Sequence, residues 1–313
     1  MSESFYAALR VVLPMMILML IGVTVRVNGY ITRPAMKQYD KLIFILFMPV
    51  LMFKNIYEMD FSQGFAVREM IFAGICLLLN FAFSLTFPKL LTKDGSKSSV
   101  VGQAVVRGNY ILFGVAVSEA LYGEGNIGAV IMLSVLVIPL INIFSAVILE
   151  LNRSGRAKLG GLFLAILKNP MIIGAIFAVV FKGFGIPIPA PLWSVIRSIA
   201  NSTTTISFIS LGVGLDMAEA IADRRLLAWG VFLRMVVVPL IFMPLAVMFG
   251  FRGQSLCAMM IIFAAPSAVA SYPMAVAMGA DGQLAGQLVC VTTIVSVLTI
   301  FLWTFAFKML GLM

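Results

Sequence analysis

The stretch QAVVRGNYILFGVAVSEALYG, residues 103–123, decides the fold. It places Arg107, Gly108 and Asn109 in the middle of an apolar run that is long enough to cross a membrane. The hydrocarbon core tolerates such polar groups only where they face protein or a water-filled cavity. We therefore expect a broken transmembrane helix in this stretch, with a polar site at the break.

A second apolar run is interrupted in a similar way. Residues 264–279, AAPSAVASYPMAVAMG, contain two prolines and three serine or tyrosine hydroxyls. Pro266 and Pro273 each remove a backbone donor and clash with the preceding turn, so a regular helix is not expected. Pro273 alone would be an ordinary kink, but two prolines together with Ser267 and Ser271 favour a break. We expect the two breaks to face each other.

The composition is that of a polytopic membrane protein. The chain has 313 residues, 62% of them hydrophobic and 11% charged, and its mean hydropathy is +1.08. The net charge of +9 could indicate nucleic-acid binding in a soluble protein. Here the basic residues lie in short loops between apolar runs, as the positive-inside rule requires. We expect a lipid bilayer around the protein, no soluble domain and no nucleic-acid partner.

The sequence lacks the residues that metal binding, haem binding and nucleophilic catalysis usually require. Cys76, Cys257 and Cys290 lie in apolar runs without paired spacing, and the chain has no histidine. We therefore expect no cofactor, no metal site, no catalytic residue and no enzymatic activity. The N-terminal residues lack a basic region and a small-residue cleavage site, so the first apolar run is interpreted as a retained helix.

Ten apolar runs are predicted to span the membrane, judged by their length against a hydrocarbon core of ~30 Å, although several, such as 42–56 and 169–184, are short. We number them as spans 1 to 10, and they cover residues 5–25, 42–56, 70–87, 98–121, 127–149, 169–184, 191–215, 226–249, 255–278 and 284–309. Alternate loops hold thirteen basic residues on one side and six on the other. The positive-inside rule then predicts a multi-pass protein of the cytoplasmic membrane with both termini on the outside.

The ten spans divide into two halves of five. The longest connection, 151–168, is predicted to be cytoplasmic and separates a first five-helix repeat, 1–150, from a second, 169–313. Because each half has an odd number of helices, the second must be inverted if the halves are related by duplication. An ungapped offset of 156 aligns turn formers and helix-end charges, such as Pro14 with Pro170. The alternative is that the halves look alike because all membrane segments do.

The same offset pairs span 4 with span 9, since it carries Gly123 onto Gly279. These are the two interrupted spans. In inverted-repeat transporters, discontinuous helices at corresponding positions mark the substrate site, because unwound backbone leaves N–H and C=O groups near the midplane.

Residues at the first break carry a family resemblance. Residues 107–114, RGNYILFG, resemble the R-x-N-x-x-F-x-G signature of the auxin efflux carrier superfamily, whose bacterial members are often called malate permeases. Further similar segments are NPMIIG at 169–174, GVGL at 212–215, Arg234 five residues before Pro239, and APSAVA at 265–270. One departure is Ala116, where the family usually has proline, so a less sharp break of span 4 is expected.

The resemblance implies an all-α integral membrane carrier of ten helices in two inverted repeats, with spans 4 and 9 broken and crossing. It also implies a scaffold part, spans 1, 2, 6 and 7, and a transport part, spans 3–5 and 8–10. Family substrates are small organic anions, including dicarboxylates and indole acetic acid. A malate-like carboxylate or an auxin-like acid is therefore expected as the substrate.

Two arginines indicate an anion site independently of the resemblance. At ~1.5 Å per helical residue, Arg107 and Arg234 each lie about 12 to 13 Å from the cytoplasmic end of their spans. No Asp or Glu lies at comparable depth in any span. A substrate carboxylate would supply the missing counter-ion. The alternative is that one or both arginines snorkel to the headgroups.

The candidate substrate site draws on both breaks. It comprises Arg107, Gly108, Asn109, Tyr110, Asn142, Pro266, Ser267 and Ser271, with Arg234 as a charge partner. Asn80, Ser145 and the polar run 201–205 are also predicted to be buried, but helix packing explains them as well as a pocket does, and for the polar run it is the favoured interpretation.

The expected function is secondary active transport of a small organic anion by alternating access. No Walker-type loop appears, so ATP is not the evident energy source. Coupling to H⁺ or Na⁺ stays open, because proton relays usually show an intramembrane carboxylate and no span has one at depth. A homodimer is also left open. An anion channel, which needs rings of pore residues, and a substrate-sensing membrane receptor, which usually needs an output domain, are the alternatives.

Overall fold

Helices form all the regular structure of residues 2–58, 67–153, 168–215 and 223–313, which are those that the computed structural model describes. Two short π-helical segments, Ile43–Phe47 and Leu233–Val237, join α2 to α3 and α11 to α12. The helices are α1 Ser2–Val27, α2 Arg33–Leu42, α3 Met48–Tyr57, α4 Val67–Thr86, α5 Pro88–Leu91, α6 Gly95–Val106, α7 Tyr110–Tyr122, α8 Gly128–Arg153, α9 Pro170–Gly183, α10 Ala190–Gly214, α11 Arg224–Phe232, α12 Val238–Met248, α13 Gly253–Ala264, α14 Ser271–Ala277 and α15 Gly282–Met309.

Four apolar helical stretches in the described ranges are long enough to cross a membrane without interruption. They are Val67–Leu91, Gly128–Leu151, Arg224–Met248 and Gly282–Met309, with 25, 24, 25 and 28 residues. A hydrocarbon core of ~30 Å requires roughly 20 apolar residues. Their length and apolar composition are those of an integral membrane protein.

The two interrupted runs form broken helices, as predicted. Residues 107–109 separate α6 from α7, and residues 265–270 separate α13 from α14. At the first break, Arg107 (φ −98°, ψ 89°) and Asn109 (φ −82°, ψ 67°) both leave helical geometry. Ala116 lies well inside α7, which contains no proline, so this break forms without the proline that the resemblance implied at this position.

The two breaks contact each other through their backbones. The Asn109 N–H donates to the Pro266 carbonyl at 2.8 Å, and the Ala268 N–H donates to the Arg107 carbonyl at 3.0 Å. These bonds flank an isolated antiparallel bridge between Gly108 and Ser267. The bridge satisfies backbone groups that the interrupted helices leave without intrahelical partners. The two breaks therefore face each other as predicted.

Close backbone approach joins α1 to α10 and α3 to α9. A Cβ atom at Gly22 of α1 would collide with the Ile209 carbonyl of α10. A Cβ atom at Gly174 of α9 would meet the Pro49 backbone of α3 in the same way. Small residues allow membrane helices to pack this closely, and these contacts connect span 1 with span 7 and span 2 with span 6.

Ion pairs between connections bring alternate helix ends together. The Lys97 ammonium lies 2.6 Å from the Asp223 carboxylate, which connects the start of span 4 with the start of span 8. The Arg197 guanidinium lies 3.0 Å from the Glu58 carboxylate, which connects the end of span 2 with span 7. Each pair therefore joins helix ends that the predicted topology places on the same side of the membrane.

Candidate functional site

A cavity of about 260 Å³ lies beside the break between α6 and α7. Ligand pockets commonly measure ~300–1,000 Å³, so this cavity suits a small molecule. No acidic side chain is among the described residues that line it. The lining residues are Arg107–Leu112, Met48, Leu51, Met52 and Asn55 of α3, Ile138, Ile141 and Asn142 of α8, Met171 of α9, Thr204 of α10, and Ala268 and Ala270 of the second break.

Arg107 is the cation of this cavity, and its side chain is only 3% exposed. Its Nη2 donates to the Asn142 Oδ1 at 2.6 Å, and its Nη1 donates to the Ala270 carbonyl at 3.3 Å and contacts the Met274 Sδ at 3.0 Å. All these acceptors are neutral, and no described carboxylate pairs with this guanidinium. Because a buried charge normally has a counter-charge, the arrangement suits a bound anion.

Asn142 holds the guanidinium in place. Its Nδ2 donates to the Ile138 carbonyl one turn earlier in α8 at 2.7 Å. This bond turns the amide so that Oδ1 faces Arg107. Asn142 therefore lines the cavity and orients the charged group there.

The first turn of α7 adds backbone donors to the cavity. Asn109 is the N-cap residue, and its side chain makes no capping hydrogen bond. The first N–H groups of a helix have no intrahelical acceptor, and the helix dipole places partial positive charge there, so both favour an anion. The Tyr110 hydroxyl instead donates to the Val130 carbonyl of α8 at 3.1 Å.

The predicted residues of the second break lie outside the lining of the cavity. The Pro266 carbonyl accepts the Asn109 N–H, and the Ser267 hydroxyl donates to the Ala104 carbonyl at 3.0 Å. Ser271 is buried, and its hydroxyl has no hydrogen-bond partner among the described residues. In this structure Pro266 and Ser267 brace the crossing of the two broken helices.

Arg234 is completely buried and also lies outside the cavity. Its Nε donates to the Ala265 carbonyl at 2.8 Å, its Nη1 to the Val105 carbonyl at 2.9 Å and its Nη2 to the Ile262 carbonyl at 3.1 Å. These carbonyls belong to the ends of α6 and α13, where intrahelical donors run out. A Cβ atom at Gly108 would collide with Nη2. Arg234 therefore clamps both broken helices and does not reach the headgroups.

Two polar lining residues were missed or assigned elsewhere from the sequence. Asn55 of α3 was not considered, although a lone amide in a short apolar span carries the same signal as Asn142. Thr204 belongs to the polar run that was assigned to helix packing, yet it lines the cavity. Its neighbour Thr203 does make a packing contact, because its hydroxyl donates to the Phe47 carbonyl at 3.2 Å.

The broken, crossing helices and the buried cation beside them are features of a membrane carrier. Residues 7–304 match the family described as membrane transport protein, which is the auxin efflux carrier family. The chain belongs to this family, which confirms the resemblance seen in the sequence and makes it a multi-pass membrane transport protein. It is also similar to an uncharacterized transporter of Methanothermobacter thermautotrophicus, with 20% identity over 308 residues that cover 96% of this chain and 98% of that protein.

Proposed function

We propose that this protein is a secondary transporter that carries a small organic anion, a malate-like carboxylate or an auxin-like acid, across the cytoplasmic membrane by alternating access. The observation that carries the proposal is Arg107, a buried guanidinium at a small cavity whose described partners are all neutral. A planar guanidinium matches a carboxylate in geometry and in charge. Membership of a membrane transport family supports transport as the class of function.

The other polar groups of the cavity fit the same substrate. Asn55, Asn109 and Thr204 come from three different helical elements and lie among apolar lining residues. A few converging polar groups on an apolar wall orient a small ligand without holding it too tightly to leave. In the proposed complex Arg107 and the first turn of α7 bind the carboxylate, and the neutral amides and hydroxyl contact the rest of the molecule.

The proposed architecture is two inverted five-helix repeats, 1–150 and 169–313, joined by a cytoplasmic connection at 151–168. The offset of 156 and the crossing of spans 4 and 9 support it, because inverted-repeat carriers build their site from such corresponding helices. Spans 1, 2, 6 and 7 form the proposed scaffold part, and the close approach of α1 to α10 and of α3 to α9 supports this grouping.

The proposed orientation, with both termini outside, is tested by cysteine accessibility. In a cysteine-free background, a single cysteine at Asp94 should be protected from an impermeant thiol reagent in intact cells, and one at Glu124 should be labelled. The reverse pattern would contradict the orientation that the positive-inside rule gives.

The function itself is tested with Arg107→Ala in proteoliposomes, using radiolabelled malate and indole acetic acid. Loss of a charge-assisted contact in a desolvated site costs ~2–5 kcal/mol, or roughly thirty-fold to several-thousand-fold in affinity. The variant should still elute as a folded species, and Arg107→Lys should retain more affinity because it keeps the charge without the planar fork. The matched control is Arg197→Ala, which removes an arginine that is 55% exposed and lies outside the cavity. Wild-type uptake by Arg107→Ala would place the substrate site elsewhere.

A further inference from the structure

A buried carboxyl group lies where α2, α10 and α14 meet. Asp40 stands two residues before span 2, outside the predicted membrane-spanning segment, and is fully buried. The Ser210 hydroxyl of α10 donates to its Oδ1, and the Tyr272 side chain of α14 hydrogen-bonds the same carboxyl group. Asp40 and Ser210 belong to the proposed scaffold part, whereas Tyr272 belongs to the proposed transport part.

The position of Tyr272 links this contact to the cavity. A Cβ atom at Gly214 would collide with the Tyr272 hydroxyl, so the glycine at the end of α10 makes room for it. Tyr272 lies two residues after Ala270, which lines the cavity and whose carbonyl accepts a hydrogen bond from Arg107. The same short segment of the second broken helix therefore contacts both the candidate substrate arginine and the neighbourhood of Asp40.

Asp40 has no charged partner among the side chains that the structure describes. On the elements packed around it, the described titratable or charged groups are Tyr272 in α14, Tyr39 and Lys41 in α2, which are exposed, Arg197 in α10, which pairs with Glu58 at the opposite end of that helix, and Arg26 of α1, which donates to the carbonyls of Val213 and Leu215. Burial raises the pKa of the Asp40 carboxyl to about 6, while the hydrogen bonds from Ser210 and Tyr272 act to lower it.

We propose that Asp40 is the proton-coupling carboxyl of this carrier. The inference rests on the proposed transport function and deepens it by naming H⁺ as the coupling ion. A proton from water binds a carboxylate oxygen of Asp40 and gives the neutral acid, which burial of the side chain favours. When α14 moves away from α2 and α10, Tyr272 leaves, water reaches the carboxyl group and the same proton dissociates. Proton binding and anion binding then act on one moving segment.

The test uses proteoliposomes that contain a pH-sensitive dye and radiolabelled malate. The wild type should show malate-dependent proton movement and malate uptake that responds to a pH gradient. Asp40→Asn should keep malate–malate exchange within roughly twofold but lose the proton movement and the response to the gradient, and Asp40→Glu should restore both. The matched control is Asp223→Asn, which removes an aspartate that pairs with Lys97 away from this contact and should leave proton movement intact.

Each other outcome counts against a different part of the argument. Wild-type proton movement in Asp40→Asn overturns the inference. A wild type that exchanges malate without moving protons overturns it too and leaves the transport proposal standing. A wild type that neither exchanges nor accumulates malate or indole acetic acid contradicts the proposed function itself.

A second variant keeps the inference testable if Asp40→Asn does not fold. Tyr272→Phe removes only a hydroxyl, and that hydroxyl acts to lower the pKa of Asp40. The pH midpoint of malate uptake should therefore move to higher pH while exchange persists. An unchanged pH profile in folded Tyr272→Phe would show that Asp40 does not govern coupling.

Discussion

Arg107 and Arg234 lie at nearly the same predicted depth, yet the structure surrounds them with different acceptors. Arg234 donates to three backbone carbonyls at the ends of two broken helices and is sealed from the cavity. Arg107 lines the cavity and contacts an amide oxygen, one carbonyl and a thioether. The difference in acceptors supports different roles for the two buried arginines: Arg234 stabilises the backbone, and Arg107 is the proposed ligand-binding residue.

The ends of the two broken helices leave carbonyl groups without intrahelical donors, and Arg234 donates to them. The last carbonyls of a helix have no intrahelical donors and carry the negative end of the helix dipole. Where α6 and α13 both end inside the protein, one guanidinium with five N–H donors satisfies several of these carbonyls at once. Arg234 thus donates to the negative ends of two helix dipoles, whereas Arg107, whose described acceptors are all neutral, suits the anion proposed as substrate.

The largest effect is expected from Arg234→Ala. The buried Ala265 and Ile262 carbonyls would lose a donor, at ~1–3 kcal/mol each, and the Val105 carbonyl would keep the longer hydrogen bond from Asn80. A loss of this size is a large part of the stability of a typical protein, ~5–15 kcal/mol. We expect no monodisperse species by size-exclusion chromatography in detergent, with partial recovery in Arg234→Lys. Arg107→Ala provides the contrast, since it should elute normally. A folded Arg234→Ala with an unchanged thermal midpoint would remove the distinction between the two arginines.

Both breaks could be predicted from the sequence, because hydrocarbon tolerates few polar groups in a span and because each proline removes a backbone donor and clashes with the preceding turn. It could not predict what Arg234 binds, because every residue has a carbonyl and no side-chain pattern marks which ones lack donors. Thr204 could not be assigned to the cavity, because the side of α10 that faces it depends on tertiary packing. Asp40 could not be predicted as a buried group, because the apolar run of span 2 begins at residue 42, whereas the helix itself starts at residue 33.

A second prediction gives Arg107 a carboxylate partner, which none of the described residues provides. Asn142→Asp places a carboxylate at the position that now holds an amide oxygen 2.6 Å from Nη2. A substrate anion must then compete with a bound carboxylate, and affinity should fall roughly tenfold to a hundredfold, or ~1.4–2.8 kcal/mol. Asn142→Ala is the control, with a smaller loss because it adds no charge. Isothermal titration with malate measures both, and unchanged affinity in Asn142→Asp would show that Arg107 does not bind the anion.

A third prediction extends the comparison to Asp40, a buried group whose charged form is negative. Burial raises the pKa of Asp40 from 3.8 to about 6 in the folded protein. Its neutral form therefore favours the fold, and this contribution is present at low pH and is lost as pH rises through about 6. Between pH 5 and pH 7.5 the free energy of unfolding should fall by ~1 kcal/mol, which lowers the thermal midpoint by a few degrees. The thermal midpoint of Asp40→Asn should change less with pH than that of the wild type. An equal dependence of the midpoint on pH in both proteins would contradict the raised pKa of Asp40.

The smallest effect is expected from Asn109→Ala, which separates the backbone of the break from its side chain. Alanine keeps the N–H that donates to the Pro266 carbonyl, so the antiparallel bridge and the thermal midpoint should persist. Only one neutral amide is lost from the cavity, at ~0.5–1.5 kcal/mol, or roughly two- to twelve-fold in malate affinity. Asn126→Ala is the matched control, because that exposed amide donates to the Tyr122 carbonyl outside the cavity. If Asn109→Ala instead prevented folding, as is expected of Arg234→Ala, then the Asn109 side chain would be structural. The break beside Arg107 would then not differ in role from the backbone contacts of Arg234.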